Sequence, residues 1–239
     1  LSRRQRQMCI RDRHNFKVFW IDTERKAYFW IIGIATVLIT WNLCYTGYFD
    51  AATSFRHALF QTVSIASTTG FASSDFNLWP DFSRYVLLLL MFVGGCSGST
   101  AGGMKVSRFV ILLKVTWAEL RRTIHPRLVY SIKMGGRNVP PVVVGNVTRF
   151  FYLYMIVFST LTLLISLTGL SMLDSMGIIA ACMSSVGPAF GIVGPTATYA
   201  DVSTFGRLVV IAAMILGRLE IFTLLIIMRP DFWRVKRNW

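Results

Sequence analysis

Charged side chains are scarce in this chain. Asp, Glu, Lys and Arg make up 15% of its 239 residues, whereas a typical soluble domain has about 25%. Acidic residues are rarer than basic ones. The chain has 11 Asp and Glu and 25 Lys and Arg, which gives a net charge of +14. With an apolar content of 54%, this composition argues against an ordinary soluble domain and indicates a protein that crosses a membrane several times.

Cysteine is also rare, and its spacing argues against two kinds of structural site. Cys9, Cys44, Cys96 and Cys182 are scattered and form no C-x-x-C pair. The sequence therefore indicates neither a zinc site nor a disulfide framework. No secretory signal peptide is recognised, and we interpret the Arg-rich residues 1–13 as a disordered or foreign stretch without a function of its own.

Basic residues are concentrated in three blocks, 1–26, 105–149 and 229–239, which are separated by apolar spans. A high positive charge is typical of nucleic-acid-binding proteins, but this distribution follows the positive-inside rule of membrane proteins. We therefore predict no nucleic-acid partner, and we place all three blocks and both termini in the cytoplasm. The chain then leaves the cytoplasm and returns to it twice. The outer segments are expected to carry the acidic residues Asp50, Asp75, Asp81, Asp174 and Asp201.

Two stretches of the chain share one order of segments. A long apolar run is followed by a run too short to cross a bilayer, then by a loop that contains Gly, then by a second long apolar run. Irregular backbone at membrane depth survives only where it is buried in protein or lines water, and carbonyls aimed into such a path form cation filters. We therefore predict an all-α membrane protein with two helix–pore-helix–helix repeats. The predicted segments are 28–47, 52–67 and 82–93 in one repeat, and 147–168, 172–185 and 203–228 in the other.

A glycine-rich run, residues 94–103 (GGCSGSTAGG), interrupts the first repeat. Because each Gly costs up to about 1 kcal/mol in a helix interior relative to Ala, we expect the helix to break here and to resume over 104–122. When the repeats are aligned, Gly95 corresponds to Arg218, and an intramembrane Arg is a functional-site hypothesis by default. Two structural alternatives stay open: close helix packing for the glycines and an interhelical ion pair for Arg218.

Four motifs occur in order along the chain: STTGFASSDF (67–76), GGCSGSTAGGMK (94–105), SSVGPAFG (184–191) and LGRLEIF (216–222). They resemble motifs of the Trk/Ktr/HKT superfamily of potassium transporters, most closely those of the bacterial Trk-type potassium-uptake membrane subunit. The resemblance extends over roughly residues 15–239. That family carries four repeats around one pore, and this chain resembles the third and fourth. The resemblance therefore implies a partner that supplies the N-terminal half, with the first two repeats.

The resemblance divides the chain into five parts. These are a basic cytoplasmic N-terminal segment (1–26), a repeat (27–122) with filter loop 68–71 and gate loop 94–103, a basic cytoplasmic loop (123–146), a second repeat (147–228) with filter loop 185–188, and a basic cytoplasmic tail (229–239).

The resemblance also implies roles for individual residues. The potassium filter is expected at Thr68, Thr69, Gly70, Phe71, Ser185, Val186, Gly187 and Pro188. Within it, K+ is expected at Thr68, Thr69, Gly70, Ser185, Val186 and Gly187. The gate is expected at Gly94, Gly95, Ser97, Gly98, Ser99, Thr100, Gly102, Gly103 and Arg218. No covalent cofactor is expected, because K+ is the transported ion.

The implied function is potassium uptake across the bacterial inner membrane, which needs no covalent catalysis, so the protein is not expected to be an enzyme. The expected partners are membrane lipid, a second copy in a homodimer, and a cytosolic nucleotide-binding regulatory subunit on the basic inner face. Coupling to H+ or Na+ is left open. The alternative within the same superfamily is a Na+-permeating member, although Gly at positions 70 and 187 favours K+.

A remote alternative comes from residues 95–98 (GCSG), which fit the G-x-S-G signature of rhomboid-type intramembrane serine proteases. A serine nucleophile needs a base within hydrogen-bond reach. None of His14, His57 and His125 lies in a predicted membrane helix downstream of Ser97, where that family places its base.

Overall fold

The computed structural model describes residues 22–125 and 131–218. These residues form seven α-helices, three single-turn 3-10 helices and a hairpin of two short strands. The prediction of an all-α fold is confirmed. The helices are α1 (Thr23–Tyr45), α2 (Ala51–Ala66), α3 (Asp81–Val93), α4 (Val106–Ile124), α5 (Pro141–Ser166), α6 (Met172–Met183) and α7 (Thr204–Arg218), and the strands are β1 (Lys133–Met134) and β2 (Arg137–Asn138).

Two of the described helices, α1 and α5, are long and apolar enough to cross a bilayer. Helix α1 begins behind Asp22, whose carboxylate accepts a hydrogen bond from the Glu24 N–H at 3.2 Å, as an N-cap does. Its outward side chains include Trp30 and Trp41, which are 70% and 63% exposed. Large apolar side chains exposed together mark a surface that contacts lipid or another protein.

Helix α5 begins at Pro141, earlier than the start predicted at 147. The sequence prediction treats Pro140 and Pro141 as loop residues, but Pro suits the first turn of a helix because no N–H is needed there. The segment between α4 and α5 is therefore shorter than the basic loop predicted over 123–146. It is also shortened at its other end, since α4 continues to Ile124, and the hairpin lies inside it.

Helices α2 and α6 are half-helices, with 16 and 12 residues against the roughly 20 needed to span a bilayer. Helix α6 is the more enclosed of the two, because every residue from Gly177 to Met183 is buried. It packs against α5 and α7 and also contacts α3 of the first repeat, whereas α2 packs on α1 and α3. Half-helix α6 therefore lies between the two repeats.

A single buried cluster joins the repeats, because it draws side chains from α1, α2, α3, α5, α6 and α7. Its fully buried members include Leu87 and Met91 from the first repeat, and Tyr154, Ile178 and Met183 from the second. The two repeats thus form one packed body.

The helix of the first repeat is interrupted between Val93 and Val106, where the glycine-rich run predicts a break. At the base of this excursion the Met104 N–H donates to the Phe92 carbonyl at 3.2 Å, and the Val106 N–H donates to the Gly95 carbonyl at 3.0 Å. The end of α3 and the start of α4 therefore lie side by side, and the residues between them form a loop. Residues 94–103 are called the glycine-rich loop below.

Several sequence predictions fall outside the described residues. These are the basic N-terminal residues 1–21, the basic tail 229–239, and the part of the last predicted helix that follows Arg218.

Candidate functional site

Both half-helices end in the same turn. The Thr69 N–H donates to the Ser64 carbonyl at 3.0 Å, and the Val186 N–H donates to the Ala181 carbonyl at 2.9 Å. In each case the residue before this donor, Thr68 or Ser185, has a φ of 57°. This arrangement is the Schellman motif, a common way to end a helix. The residue after the C-cap is left-handed, and the N–H of the next residue donates to the carbonyl of the third-last helical residue.

The left-handed position of a Schellman motif is usually glycine, because other residues pay about 1–2 kcal/mol for this conformation. Here Thr68 and Ser185 occupy it, and Gly70 and Gly187 follow two residues later with φ of 75° and 103°. Strained backbone of this kind clusters at functional sites. The sequence-predicted filter loops thus share one backbone path, position by position.

The two loops touch each other. A Cβ added at Gly70 would overlap the carbonyl oxygen of Val186 and press on the Pro188 ring, so this contact admits only glycine. The Phe71 side chain is 72% exposed, while its carbonyl accepts a hydrogen bond from the Ser64 hydroxyl at 2.6 Å. The structure therefore brings together Gly70, Val186 and Pro188 of the predicted filter, and it leaves the Phe71 ring outside that contact.

The Gly187 carbonyl accepts a hydrogen bond from the Tyr199 hydroxyl at 2.7 Å. Tyr199 lies on the loop 3-10 helix Tyr199–Asp201, and its hydroxyl is 3.4 Å from the Cys182 sulfur. Burial raises the pKa of the Tyr199 hydroxyl, and Cys182 raises it further. The hydroxyl therefore keeps its proton and remains a donor at neutral pH.

The outer loops of the two repeats are fastened by Asn77. Its amide nitrogen donates to the Gly191 carbonyl at 3.1 Å, and its amide oxygen accepts from the Gly191 N–H at 3.0 Å. Beside this pair, the rings of Phe76 and Phe190 meet edge to face with centroids 5.5 Å apart. One asparagine thus pairs with both backbone groups of a residue in the other repeat.

The glycine-rich loop lies against the end of half-helix α6. A Cβ added at Gly102 would overlap the Ser184 carbonyl oxygen, and one added at Gly217 would overlap the Met183 carbonyl oxygen. These carbonyls belong to the last turn of α6, where helix carbonyls have no partner within the helix. The predicted gate therefore lies against the backbone that leads directly into the second predicted filter loop, and Gly102 also faces the Ser185 hydroxyl of that loop.

Two charged side chains from different helices bind the backbone of the glycine-rich loop. The Arg218 guanidinium donates to the Thr100 carbonyl at 2.6 Å. The Glu24 carboxylate, in a residue only 3% exposed, accepts from the Ser97 N–H. The Arg218 partner found in the structure is thus a backbone carbonyl of the loop. This contact supports a role at the loop over the interhelical ion pair left open from the sequence.

A cavity of about 250 Å³ borders the glycine-rich loop. Three basic residues line it: Lys105, Arg108 and Arg218. The Arg108 guanidinium also lies 4.1 Å from the centre of the Phe150 ring, a cation–π distance. Positive charges gathered in this way oppose the entry of a cation, which matches the expected position of a gate.

The remaining predicted gate residues lie in or beside the same loop. A Cβ added at Gly94 would overlap the Gly102 carbonyl oxygen, and one added at Gly103 would lie 3.2 Å from the Gly94 Cα. The Ser99 hydroxyl accepts from the Ala101 N–H at 3.1 Å. Contacts within the loop therefore add to those that Arg218 and Glu24 make with it.

The structure does not support the serine-protease alternative. The Ser97 hydroxyl pairs with that of Ser107. Of the two described histidines, His57 bonds Ser73 at 2.9 Å, and His125 is exposed at the end of α4. Neither of these histidines is placed to activate Ser97.

Three residues in or near the predicted site were missed by the sequence analysis: Glu24 and Tyr199, which contact predicted site residues, and Asn77, which binds Gly191 nearby. Glu24 carried a weak signal, because it is an acidic residue inside a basic block. Asn77 and Tyr199 carried none, because the outer loops of the two repeats differ in length and do not align there.

Comparison with known proteins places these features in a family. A family model named TrkH and described as "Cation transport protein" matches residues 12–234. The Trk system potassium uptake protein TrkH of Vibrio parahaemolyticus is 42% identical over 222 residues, which is 91% of this chain and 45% of that protein. The corresponding protein of Escherichia coli is 37% identical over 224 residues, which is 92% of this chain and 45% of that protein.

A solved structure is also similar. The crystal structure of the potassium transporter TrkH from Vibrio parahaemolyticus matches with a TM-score of 0.83 and 41% identity, over 90% of this chain and 46% of that chain. The chain therefore spans about half the length of the curated relatives it matches.

Proposed function

Because the chain belongs to the TrkH family of cation transport proteins, we propose that it supplies two of the four helix–pore-helix–helix repeats of a potassium-uptake protein. The observation that carries this proposal is the pair of matching strained turns, Thr68 to Gly70 and Ser185 to Gly187, which meet at the Gly70–Val186 contact. Two adjacent loops with the same backbone conformation suit a filter in which equivalent loops are arranged around one axis.

In this proposal K+ exchanges its hydration waters for oxygens of the two filter loops. Successive carbonyls can face one path because the chain takes left-handed conformations at 68, 70, 185 and 187, which turn the peptide planes. The half-helices α2 and α6 both end at these loops, so the negative ends of their dipoles favour a cation. The assignment of K+ to Thr68, Thr69, Gly70, Ser185, Val186 and Gly187 is part of the proposal.

The glycine-rich loop acts as the gate. It closes the path on the inner side of the filter, where Gly102 abuts the Ser184 carbonyl, and Arg218 holds it through Thr100. Opening requires the loop to leave these contacts. The backbone freedom of its glycines makes such a movement inexpensive.

The proposed setting is the inner membrane of a bacterium, with both termini in the cytoplasm. The missing repeats come from an N-terminal half of the same kind, and the membrane subunits pair as a homodimer. A cytosolic nucleotide-binding regulatory subunit docks on the basic inner face. Support for that surface comes from the end of α4, where Arg121 and Arg122 lie in the last turn and are exposed.

The test is rubidium uptake by bacteria that lack their own potassium transporters. The chain is expressed alone and together with the N-terminal half of a family member, each with Gly187→Asp or with Gly33→Ala as the matched control. Gly33 lies in α1 with open space around it, so its substitution should change little. We expect uptake from the pair, its loss with Gly187→Asp, and its retention with Gly33→Ala.

Two results would overturn the proposal. One is no uptake when both halves are present and folded in the membrane. The other is uptake that Gly187→Asp leaves unchanged. Sodium uptake exceeding rubidium uptake would favour the Na+-permeating alternative instead.

A further inference from the structure

We propose that Tyr199 is a specificity-determining residue of the ion path, because its hydroxyl fixes the direction of the Gly187 carbonyl. This inference rests on the function proposed above and names a residue outside the expected filter. Tyr199 is a positioning residue, since it acts on the ion through a backbone oxygen that it holds.

Gly187 is held in a different way from Gly70, its counterpart in the first repeat. Gly70 is wedged against Val186 and Pro188, whereas a Cβ added at Gly187 would meet nothing within 4 Å. Packing on that side therefore does not fix the peptide at Gly187, which has a φ of 103°. The 2.7 Å hydrogen bond from Tyr199 is the contact that fixes its carbonyl.

The hydrogen bond from Tyr199 leaves the Gly187 carbonyl oxygen available to a cation. A carbonyl oxygen has two lone pairs, and the phenol takes one of them. Within the described residues, the structure gives no hydrogen bond of this kind to the Gly70 carbonyl. At this one position of the two matching loops, the Gly187 carbonyl is thus anchored by a side chain and the Gly70 carbonyl is not.

Tyr199 is itself anchored, by the packing of its ring and by a contact with Cys182. Its ring packs against the main buried cluster, and its hydroxyl lies 3.4 Å from the sulfur of Cys182, which is buried in α6. The Cys182 thiol can donate to the phenol oxygen while the phenol donates to Gly187. The carbonyl is therefore tied through two side chains to the half-helix beneath it.

The consequence concerns the size of the ion. Na+ is smaller than K+, so filter oxygens must move inward to replace its waters, and a carbonyl oxygen held by the Tyr199 hydroxyl resists that movement. The positive hydrogen of the phenol also offsets part of the negative potential of this oxygen, which weakens the field at the ion and favours the larger ion. Both effects act in the same direction, toward K+.

The experiment uses the two-part assembly described above and compares rubidium with sodium uptake at matched amounts of protein in the membrane. Tyr199→Phe removes the hydroxyl and keeps the ring. Tyr152→Phe is the matched control, because Tyr152 is 64% exposed on α5. We expect Tyr199→Phe to retain uptake and to lower the rubidium-to-sodium ratio about three- to tenfold, the range for one lost hydrogen bond. Tyr152→Phe should leave the ratio unchanged.

An unchanged ratio with normal uptake would overturn the inference, and so would an equal loss of uptake for both ions. If Tyr199→Phe fails to reach the membrane, Cys182→Ala is measured instead. It removes the thiol that contacts the Tyr199 hydroxyl and so weakens the hold of Tyr199 on the Gly187 carbonyl. That variant should lower the ratio about twofold, and an unchanged ratio would again overturn the inference. Failure of the proposed function itself is separate, since it appears as absence of uptake in the unsubstituted pair.

Discussion

The left-handed residues Thr68 and Ser185 are where the sequence and the backbone disagree. Helix ends of this type favour glycine, and Thr is the more strained of the two because its side chain is β-branched. Aligning the repeats by their Gly residues predicts that positions 68 and 185 are equivalent. The alignment does not predict their conformation, because residue propensities alone argue against it.

Glu24 offers a test at the scale of one residue. Glu24→Ala removes the acceptor of the Ser97 N–H in a buried setting, where an unsatisfied donor costs about 1–3 kcal/mol. We expect a lower melting temperature of the chain in detergent and faster rubidium uptake by the two-part assembly, because the glycine-rich loop loses one of its two charged anchors.

Glu119 provides the control for this substitution. It lies on α4 with a side chain 66% exposed, so Glu119→Ala should change stability by less than about 0.5 kcal/mol. Equal effects of the two substitutions, or slower uptake with Glu24→Ala, would contradict an anchoring role for Glu24.

At the scale of an element, the end of half-helix α6 lies between the proposed filter loop 185–188 and the proposed gate, the glycine-rich loop. Its last carbonyls face Gly102 of the glycine-rich loop and Gly217 of α7. The glycine run predicts a broken helix, and the structure has the break. The partner of Gly102 could not be predicted, because the contact joins two segments that are distant in sequence and depends on how the repeats fold together.

Gly102→Ala tests this connection. The added Cβ would overlap the Ser184 carbonyl oxygen and crowd the Ser185 hydroxyl, and backbone atoms cannot move aside cheaply. Overpacking of this kind costs about 1–3 kcal/mol. We therefore expect a lower melting temperature in detergent.

Gly145→Ala is the matched change for that experiment, because Gly145 lies within α5 with open space around it. Replacing a helical Gly by Ala is neutral or stabilising by up to about 1 kcal/mol. If Gly102→Ala proved as stable as Gly145→Ala, the glycine-rich loop would not be packed against α6 as described.

At the scale of the whole molecule, the two repeats are joined by contacts between residues far apart in sequence. Asn77 and Gly191, 114 residues apart, join the loops that follow the two half-helices, and Arg218 and Thr100, 118 residues apart, join α7 to the glycine-rich loop. The order of helices, the two half-helices and the glycine-rich break could all be predicted from apolar runs and Gly spacing. Pairs this distant leave no trace in local patterns, and only the family resemblance assigns Thr100 and Arg218 to one predicted gate.

Asn77→Ala tests the outer junction. It removes both hydrogen bonds to Gly191 and leaves two backbone groups without partners. We expect a loss of about 1–3 kcal/mol in stability, measured as a fall of several degrees in the melting temperature. Asn146→Ala, at an exposed position near the start of α5, should have little effect. Equal melting temperatures for the two variants would show that the outer loops are held together by other contacts.

The shared turn of the two half-helices is one backbone path built from two different sets of residues. Thr68 differs from Ser185, and Thr69 differs from Val186, while the left-handed φ and the closing hydrogen bond are the same in both turns. A comparison that counted identical residues would therefore underestimate how alike the two loops are, because what they have in common is the curve of the chain.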